Sequence, residues 1–359
     1  MSQLNTLLGT RYPLIQAPMA GIQGSAMAVG VSNAGALGSL PCAMLTPDTI
    51  RQELQAITSQ TSQPYNINFF CHTPPDPKAE REATWRQALA PYFAEFGIDA
   101  ATIPAGAGRA PFSHAVCDVV EPFRPPVVSF HFGLPSPELL ARVKGWGAQV
   151  LSSATTVEEA LWLEAHGVDA VIAQGLEAGG HRGHFLSDDL TRQMGSFALL
   201  PQVVRAVKLP VIAAGGIADA AGIQAALALG AAGVQVGTAY MLCNEATTTA
   251  PHRAALQSEA ARHTALTNLF TGRPARGIVN RLMRELGPLS NAAPEFPLAT
   301  AAIGPLRAKA EAQGSGDFAP LWSGQNVGGC RAVSANDLTA GLAVGYSNFV
   351  GDLSTAHRH

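Results

Sequence analysis

The segment Gln174–Gly183 (QGLEAGGHRG) places a histidine, an arginine and a carboxamide among four glycines. An imidazole has an ordinary pKa of about 6.5, so His181 is suited to take up or return a proton at neutral pH. Gly179 and Gly180 allow the backbone to lie flat against a planar ring. We therefore predict that His181 lies at a reacting centre. Three other histidines lack this context and are interpreted as surface residues: His166, His184 and His263.

Two further glycine-bearing segments, Ala214–Asp219 (AGGIAD) and Gln235–Thr238 (QVGT), stand where apolar runs end. Gly215 and Gly216 would allow phosphate oxygens to approach backbone N–H groups, and the helix predicted to follow adds the positive end of its dipole. Thr238 can offer both a backbone N–H and a hydroxyl. The alternative is that these glycines only permit tight turns between strand and helix. The occurrence of two such loops favours phosphate binding.

Residues near other strand ends could line the same site. Pro18–Gly21 follows the first apolar run, and Asn68 lies in the third. The Asn68 amide could hydrogen-bond the edge of a heterocycle, or it could cap the strand end. The chain has no GxSxG motif, and no group of histidine, aspartate and glutamate has metal-ligand spacing. We predict neither a serine nucleophile nor a metal site.

Composition and charge exclude several classes of partner. The formal net charge is −3 and no run of lysine or arginine occurs, so the counterion release that drives nucleic-acid binding would be weak. Apolar runs such as Val203–Ala214 are interrupted by charged residues and are too short to span a membrane. Five widely spaced cysteines and the absence of a signal-peptide pattern predict reduced thiols in a cytoplasmic protein.

Eight short apolar runs lack polar alternation, which is typical of strands buried on both faces of a parallel sheet. Segments with helical spacing, such as Thr156–His166 and Asp219–Leu229, alternate with several of them. This alternation predicts a (β/α)8 TIM barrel. A doubly wound sheet is the alternative, but no GxGxxG motif follows the first run. The runs are Leu14–Ala17, Ala36–Leu40, Ile67–Phe70, Val127–Phe132, Gln149–Ser152, Ala170–Ala173, Val211–Ala214 and Gly233–Val236.

Two regions interrupt this rhythm. Residues 73–126 are rich in proline, alanine and charge, and we predict a helical excursion after the third strand. Beyond about Ala250 no further strand pattern is found. We expect residues 1–250 to form the barrel and residues 251–359 to form a mainly helical extension near its mouth. The helical stretches of this extension are Arg253–His263, Ile278–Leu286, Pro305–Gln313 and Ala335–Gly345.

Taken in order along nearly the whole chain, these segments resemble the nitronate monooxygenases, formerly called 2-nitropropane dioxygenases. Each motif alone is modest, but their order and their placement at strand ends make the set specific. The matching segments are Gln16–Gly21 (QAPMAG), Asn66–Phe69 (NINF), Gln174–Gly183, Ala213–Asp219 (AAGGIAD), Gln235–Thr238, Thr271–Asn280 (TGRPARGIVN) and Asp317–Gln325 (DFAPLWSGQ).

The resemblance implies a barrel that binds FMN non-covalently and oxidises alkyl nitronates with O₂ to a carbonyl compound and nitrite. His181 matches the active-site histidine of the family, which serves as a base where neutral nitroalkanes are substrates. For anionic nitronates a protonated His181 could instead anchor the charge. The FMN-binding residues implied by the resemblance are Ala17, Pro18, Met19, Gly21, Asn68, Gln174, Gly179, Gly180, Gly215, Gly216, Gln235, Val236, Gly237 and Thr238.

Related barrels leave an alternative function open. NAD(P)H-dependent quinone reductases and enoyl-thioester reductases share segments similar to QAPM and AGGI. Propionate 3-nitronate is a common substrate in the nitronate monooxygenase family, yet Phe296–Leu306 lacks the tyrosine and lysine residues expected to meet its carboxylate. The sequence leaves the particular nitronate or nitroalkane open. We expect a monomer or a homodimer.

Overall fold

The computed structural model describes residues 3–103 and 109–356, with side chains described as far as Tyr346. Eight of its strands are parallel and form the barrel that the sequence predicts. All the described strands, in chain order, are β1 Leu14–Gln16, β2 Gly38–Pro41, β3 Tyr65–Phe70, β4 Val127–His131, β5 Gln149–Ala154, β6 Ala170–Gln174, β7 Gly180–His181, β8 Val211–Ala214, β9 Gly233–Val236, β10 Thr264–Thr267 and β11 Ala275–Ile278.

The barrel strands pair in the order β1-β9-β8-β6-β5-β4-β3-β2. A parallel bridge between Ile15 and Leu37 brings the two ends of this order together, so the sheet closes on itself. Almost every residue of the barrel strands is buried. Strands buried on both faces carry apolar side chains without alternation, which explains why unbroken apolar runs identified them.

The helices follow the strands as a (β/α)8 barrel requires. For most of them an N-terminal side chain accepts a backbone N–H, as Asp219 does from Gly222 at 2.8 Å. The described helices are α1 Gln3–Leu8, α2 Ser25–Asn33, α3 Pro47–Gln60, α4 Ala79–Glu95, α5 His114–Val120, α6 Pro137–Gly145, α7 Val157–Ala165, α8 Ser196–Ala206, α9 Ala220–Ala228, α10 Ala250–Leu256, α11 Arg281–Leu286, α12 Ala299–Ala312 and α13 Ala335–Ala356.

The expectation that no strand occurs beyond residue 250 is wrong. β10 and β11 pair antiparallel, and β7 adds to the other edge of β11. These strands have only two to four residues, and β11 contains Arg276, so they present no apolar run to recognise. The sequence predicts a helix over Ile278–Leu286, but Ile278 is the last residue of β11 and the helix begins at Arg281.

The last helix returns to the barrel rather than to its mouth. α13 packs against α9 and against α2, and a Cβ added at Gly345 would stand 2.6 Å from the Ala220 carbonyl oxygen. Because β9 is the last barrel strand, α13 occupies the place of the eighth barrel helix. The division of the chain near residue 250 stays a prediction, to which the C-terminal helix adds a contribution to the barrel itself.

A second apolar cluster joins the helical excursion to the C-terminal part of the chain. α4 packs against α12, and Trp85 lies in one buried cluster with Phe270 and Phe318. Trp322 packs against this cluster and also faces the cavity at the barrel mouth. The two chain segments together thus form the cover beside the site.

None of the helices in the described ranges is long and apolar enough to cross a membrane.

Candidate active site

The C-terminal ends of the barrel strands open onto a cavity of about 180 Å³. A second cavity, between the outer helices near Tyr346, has only about 10 Å³, which is space for one water molecule at most. Ligand sites of (β/α)8 enzymes lie at the C-terminal face of the barrel. The mouth cavity is therefore the candidate active site.

Most of the residues predicted from sequence meet at this cavity. Gly21 and Val236 do not line it. Val236 points into the hydrophobic core, because successive side chains of a strand alternate and its neighbour Gln235 faces the cavity. Gly21 has a φ of +78° and serves a turn. The predicted residues that do line the cavity are Ala17, Pro18, Met19, Asn68, Gln174, Gly179, Gly180, His181, Gly215, Gly216, Gln235, Gly237 and Thr238.

The loop after β8 contains the glycines predicted to admit a phosphate. Gly215 and Gly216 have φ values of +113° and +75°, a region that residues with a Cβ rarely adopt. α9 begins just beyond them and directs its N-terminus toward the loop. Backbone N–H groups, conformational freedom and a helix dipole therefore coincide here, which favours an anion.

A third loop, Trp322–Asn326, contacts both glycine-bearing loops, and no local sequence pattern indicates this contact. The Gly324 N–H donates to Thr238 Oγ1 at 3.0 Å, and Asn326 Nδ2 donates to the Gly216 carbonyl at 3.0 Å. Trp322, Ser323, Gly324 and Asn326 all line the cavity. The sequence predicts that residues 251–359 lie near the mouth, but it does not indicate which of them enter the cavity.

Gly179 lies against this third loop with no space to spare. A Cβ at Gly179 would stand 2.5 Å from the Gly324 nitrogen and 2.6 Å from the Ser323 carbonyl carbon. Both are backbone atoms, so the clash could not be relieved by moving a flexible side chain. Gly179 is therefore a site of close approach between two backbone segments. Its approach to a planar ring stays a prediction.

Gln174 and Arg182 hold the loop that carries His181. Gln174 Oε1 accepts from the Gly183 N–H at 2.8 Å, and its Nε2 donates to the His181 carbonyl at 3.0 Å. Arg182 is fully buried and donates to the carbonyls of Gln174 and Gly175 and to Gln193 Oε1. Burial lowers the pKa of Arg182 to about 10, which leaves it cationic at neutral pH. Its role is to shape the loop.

The His181 ring lies among aromatic side chains at the cavity wall. The ring centroids of Phe296 and Trp322 lie 5.2 and 5.6 Å from the His181 centroid. Those of Phe70 and Phe132 lie 6.1 and 6.0 Å from it. β7 pairs with β11, which places His181 opposite Ala275. A short strand, rather than a free loop, therefore fixes the backbone of the candidate catalytic residue.

Thr271 defines which His181 nitrogen is available. Nε2 of His181 lies 2.9 Å from Thr271 Oγ1, which also lies 3.4 Å from the Arg273 carbonyl. A carbonyl can only accept, so the Thr271 hydroxyl serves both contacts when it donates to Arg273 and accepts from Nε2–H. In that arrangement Nδ1 of His181 carries the lone pair.

His131 supports His181, and sequence reasoning missed it. Its Nε2 lies 3.1 Å from the His181 carbonyl and its Nδ1 lies 2.5 Å from Ser153 Oγ. Since the carbonyl accepts, Nε2 carries the hydrogen and Nδ1 accepts from the serine hydroxyl. Burial lowers the pKa of His131 to about 3, so the ring is neutral. His131 ends β4 and is the last residue but one of the predicted strand Val127–Phe132, and this place near a strand end was the signal that could have identified it.

Burial sets the charge of His181. It is the largest cause that lowers the pKa of His181 well below its ordinary value, and the cations of Arg109 and Arg273 act in the same direction. His181 is therefore neutral at pH 7. A neutral imidazole can accept a proton but cannot anchor an anion by its charge, so the alternative role of a cationic anchor does not fit this site.

The interpretation of His184 as a surface residue is wrong. Its exposed fraction is 2%, whereas His166 and His263 are exposed as expected. Arg273 donates to the His184 carbonyl and stacks over the Phe132 ring at 4.2 Å. The loop after His181 thus folds inward under β11, a tertiary contact that a local sequence pattern does not report.

We expect five buried histidines to make stability depend on pH, because burial lowers the pKa of each. They are His72, His131, His181, His184 and His252. Between pH values of about 7 and 5.5 the unfolded chain takes up protons at these histidines and the folded chain does not. Each histidine contributes about 1.2 kcal/mol, so the free energy of unfolding should fall by about 6 kcal/mol over this interval.

Urea unfolding at the two pH values measures this difference. In the variant His252→Gln the difference should shrink by about one fifth, because one of the five groups no longer titrates. Equal unfolding free energies at both pH values in the unaltered protein would show that these rings are protonated in the folded state.

The barrel and the neutral histidine in its mouth define an enzyme of the (β/α)8 class. The sequence model of the nitronate monooxygenase family matches residues 1–344. A nitronate monooxygenase of Paraburkholderia phytofirmans is 43% identical over 342 residues, covering 94% of this chain and 92% of the relative. One of Pseudomonas aeruginosa is 41% identical and covers 92% and 95%. The chain belongs to the nitronate monooxygenase family, whose members are flavin-dependent oxidoreductases.

Solved structures agree with this assignment. The nitroalkane oxidase from Streptomyces ansochromogenes superimposes with a TM-score of 0.88 at 38% identity, covering 98% of this chain and 99% of that one. FabK from Thermotoga maritima has a TM-score of 0.73 at 25% identity, with 99% of each chain covered. The similarity is thus greater to the nitroalkane oxidase than to FabK. Together with the nitronate monooxygenase relatives, the nitroalkane oxidase does not favour the reductase alternative.

Proposed function

We propose that this chain binds FMN in the mouth cavity and oxidises alkyl nitronates with O₂ to a carbonyl compound and nitrite. The observation that carries the proposal is the position of a neutral His181, which lies among aromatic side chains. It lines the same cavity as the glycine-bearing loops at Gly215 and Thr238, which are suited to bind a phosphate. Membership of the family supports the same reaction.

The residues present fit a flavin nucleotide. Gln235 Oε1 is buried and has no hydrogen-bond partner among the described residues, although buried polar atoms in proteins are nearly always paired. Asn68 donates its amide hydrogens to Ser129, which leaves Oδ1 for a ligand. Gln235 and Asn68 would meet the polar edge of the cofactor, and the loops at Gly215 and Thr238 would hold its phosphate.

Gln174 has a smaller share in binding than the sequence suggested. Both ends of its amide already bond the His181 loop, so one Nε2 hydrogen remains for the cofactor. When bound, FMN supplies an acceptor for electrons from the substrate and a reaction partner for O₂.

His181 supplies the proton acceptor that a neutral nitroalkane requires. Nδ1 carries the lone pair while Thr271 holds Nε2, so Nδ1 is the atom that would take the proton from the substrate carbon. Phe70, Phe132 and Phe296 pack around this ring. A nitronate has already lost this proton, so its oxidation needs His181 less.

The direct test of the proposed reaction is nitrite release from ethylnitronate by the purified holoprotein. We expect one FMN per chain, extracted by heat and identified by chromatography, and nitrite formation that stops when O₂ is removed. The variant His166→Asn, altered at an exposed histidine that does not line the cavity, should behave as the unaltered protein does. A holoprotein that holds FMN but forms no nitrite would overturn the proposed reaction.

A further inference from the structure

Arg109 is a cation at the cavity wall without a matching anion. It is the sole lysine, arginine, aspartate or glutamate among the described residues that line the cavity. No ion pair joins it to a carboxylate in residues 3–103 or 109–346. The proposed reaction assigns no role to Arg109.

The guanidinium of Arg109 is poorly satisfied by protein. Its Nε and Nη1 are buried with no hydrogen-bond partner in the described part of the chain. Its Nη2 contacts Met44 Sδ at 3.7 Å, and a thioether is a weak acceptor. The group lies 5.7 Å from the centroid of the Phe296 ring, which contributes modestly. A buried charge with unpaired donors is unfavourable unless a ligand supplies the acceptors.

The position of Arg109 is fixed, and its charge persists. Its carbonyl accepts from His72 Nε2 at 3.1 Å. Burial lowers its pKa to about 10, with Arg307 as a further cause, so Arg109 remains cationic at neutral pH. Arg307 itself pairs with Glu311 at 3.1 Å. The unpaired positive charge at the mouth therefore belongs to Arg109.

This charge lies close to the reacting centre. Arg109 is the largest charge effect on the pKa of His181, second only to burial as a cause. The Phe296 ring contacts both residues. Its centroid lies 5.2 Å from the His181 ring centroid and 5.7 Å from the Arg109 guanidinium carbon. A small substrate that meets the His181 ring is thus within reach of the guanidinium.

We propose that Arg109 is the anion-binding residue of this cavity and takes a planar oxyanion with two oxygens on one atom. The forked donors of a guanidinium match such a group. A nitronate and a carboxylate both have this form, so the anion could be the reacting end of the substrate or a second group on it. The identity of the substrate rests on the proposed function, but oxyanion binding does not.

The first test is independent of turnover. Isothermal titration of the FMN holoprotein with sodium propionate should give a Kd that rises on the order of 10- to 100-fold in Arg109→Met. Arg109→Lys keeps the charge without the fork and should lie between the two. Arg51→Met, which removes an exposed arginine of α3 paired with Asp48, is the matched control and should leave the Kd unchanged.

Steady-state kinetics distinguish the two sources of the anion. If Arg109 takes the reacting end, Arg109→Met should raise the KM of ethylnitronate on the order of 10- to 100-fold. If it takes a second group, the KM of propionate 3-nitronate should rise by this factor and that of ethylnitronate should not. In either case the KM of neutral nitroethane should change less than about twofold.

Two results would overturn the proposal. One is an unchanged propionate Kd and unchanged KM values in Arg109→Met. The other is an equal loss for neutral nitroethane and for the anions, because that pattern indicates a general disturbance of the cavity. Failure of the proposed function is a separate outcome: a holoprotein that turns over no nitro compound would still show whether propionate binding depends on Arg109.

Discussion

Replacing His181 with asparagine should lower kcat/KM for nitroethane at least 100-fold and affect ethylnitronate much less. A positioned base contributes on the order of 10²- to 10⁴-fold to proton transfer. Only the neutral substrate requires that transfer. Asparagine preserves a polar group of similar size but has no lone pair basic enough to take the proton. The measurement is nitrite release at matched pH with the two substrates.

The pH profile of the unaltered protein provides a second readout of the same residue. Because burial lowers the pKa of His181 well below 6.5, the base form persists as the pH falls through about 6.5. We expect kcat/KM for nitroethane to stay level there and to be lost only as the pH falls through the lower pKa of the folded protein. An inflection at the ordinary histidine pKa, or equal losses with both substrates in His181→Asn, would contradict the role of buried base.

Replacing Gln235 with methionine should have opposite effects on the apoprotein and on cofactor binding. Gln235 Oε1 is buried without a partner among the described residues, and such an atom destabilises the fold by about 1–3 kcal/mol. Methionine has a similar volume and no such atom, so the apoprotein should gain about 1 kcal/mol in unfolding free energy. The Kd for FMN should rise at least about tenfold, because the hydrogen bond is lost.

Urea unfolding of the apoprotein and fluorescence titration with FMN measure the two effects separately. Gln202→Met is the matched control, since Gln202 is exposed on α8 and bonds only its own helix and Met194. It should change neither quantity. A destabilised apoprotein in Gln235→Met with unaltered FMN affinity would mean that Gln235 serves the fold and not the cofactor.

The barrel was predictable because its signal is local and repeated. Each strand is short, apolar and bounded by a breaker, as Val211–Ala214 is by Pro210 and Gly215. The loops after β6, β8 and β9 inherit their place from the strands, because parallel strands direct their C-terminal ends to one face. The cavity-lining positions of His181, Gly216 and Thr238 followed from this rule.

Contacts between distant segments were not predictable from these patterns. Arg109 lies in the segment between α4 and α5 and belongs to no recognisable motif, yet it reaches the cavity. Thr271 and Trp322 meet His181 only because β11 pairs with β7. His184 is buried for the same reason. These placements depend on the pairing of strands that are about 90 residues apart in the chain. Hydrophobic periodicity reports only local structure and does not indicate such pairing.

Sequence left the role of His181 open between base and cationic anchor, because the groups around its ring are distant along the chain. The sequence shows a histidine among glycines, but the groups that set its pKa come from four separate parts of the chain. Burial among Phe70, Phe132 and Phe296 and the nearby charge of Arg109 all favour the neutral ring. The cation in this site is Arg109, and the histidine is left as a base.

The central claim is that bound FMN in the mouth cavity takes electrons from a nitronate and not from a nicotinamide. Anaerobic stopped-flow mixing of the holoprotein with ethylnitronate, and separately with NADH or NADPH, tests it most directly. We expect a rapid change of the visible flavin spectrum with ethylnitronate and no comparable change with NADH or NADPH. Rapid bleaching by NADH or NADPH, with no response to ethylnitronate, would contradict it.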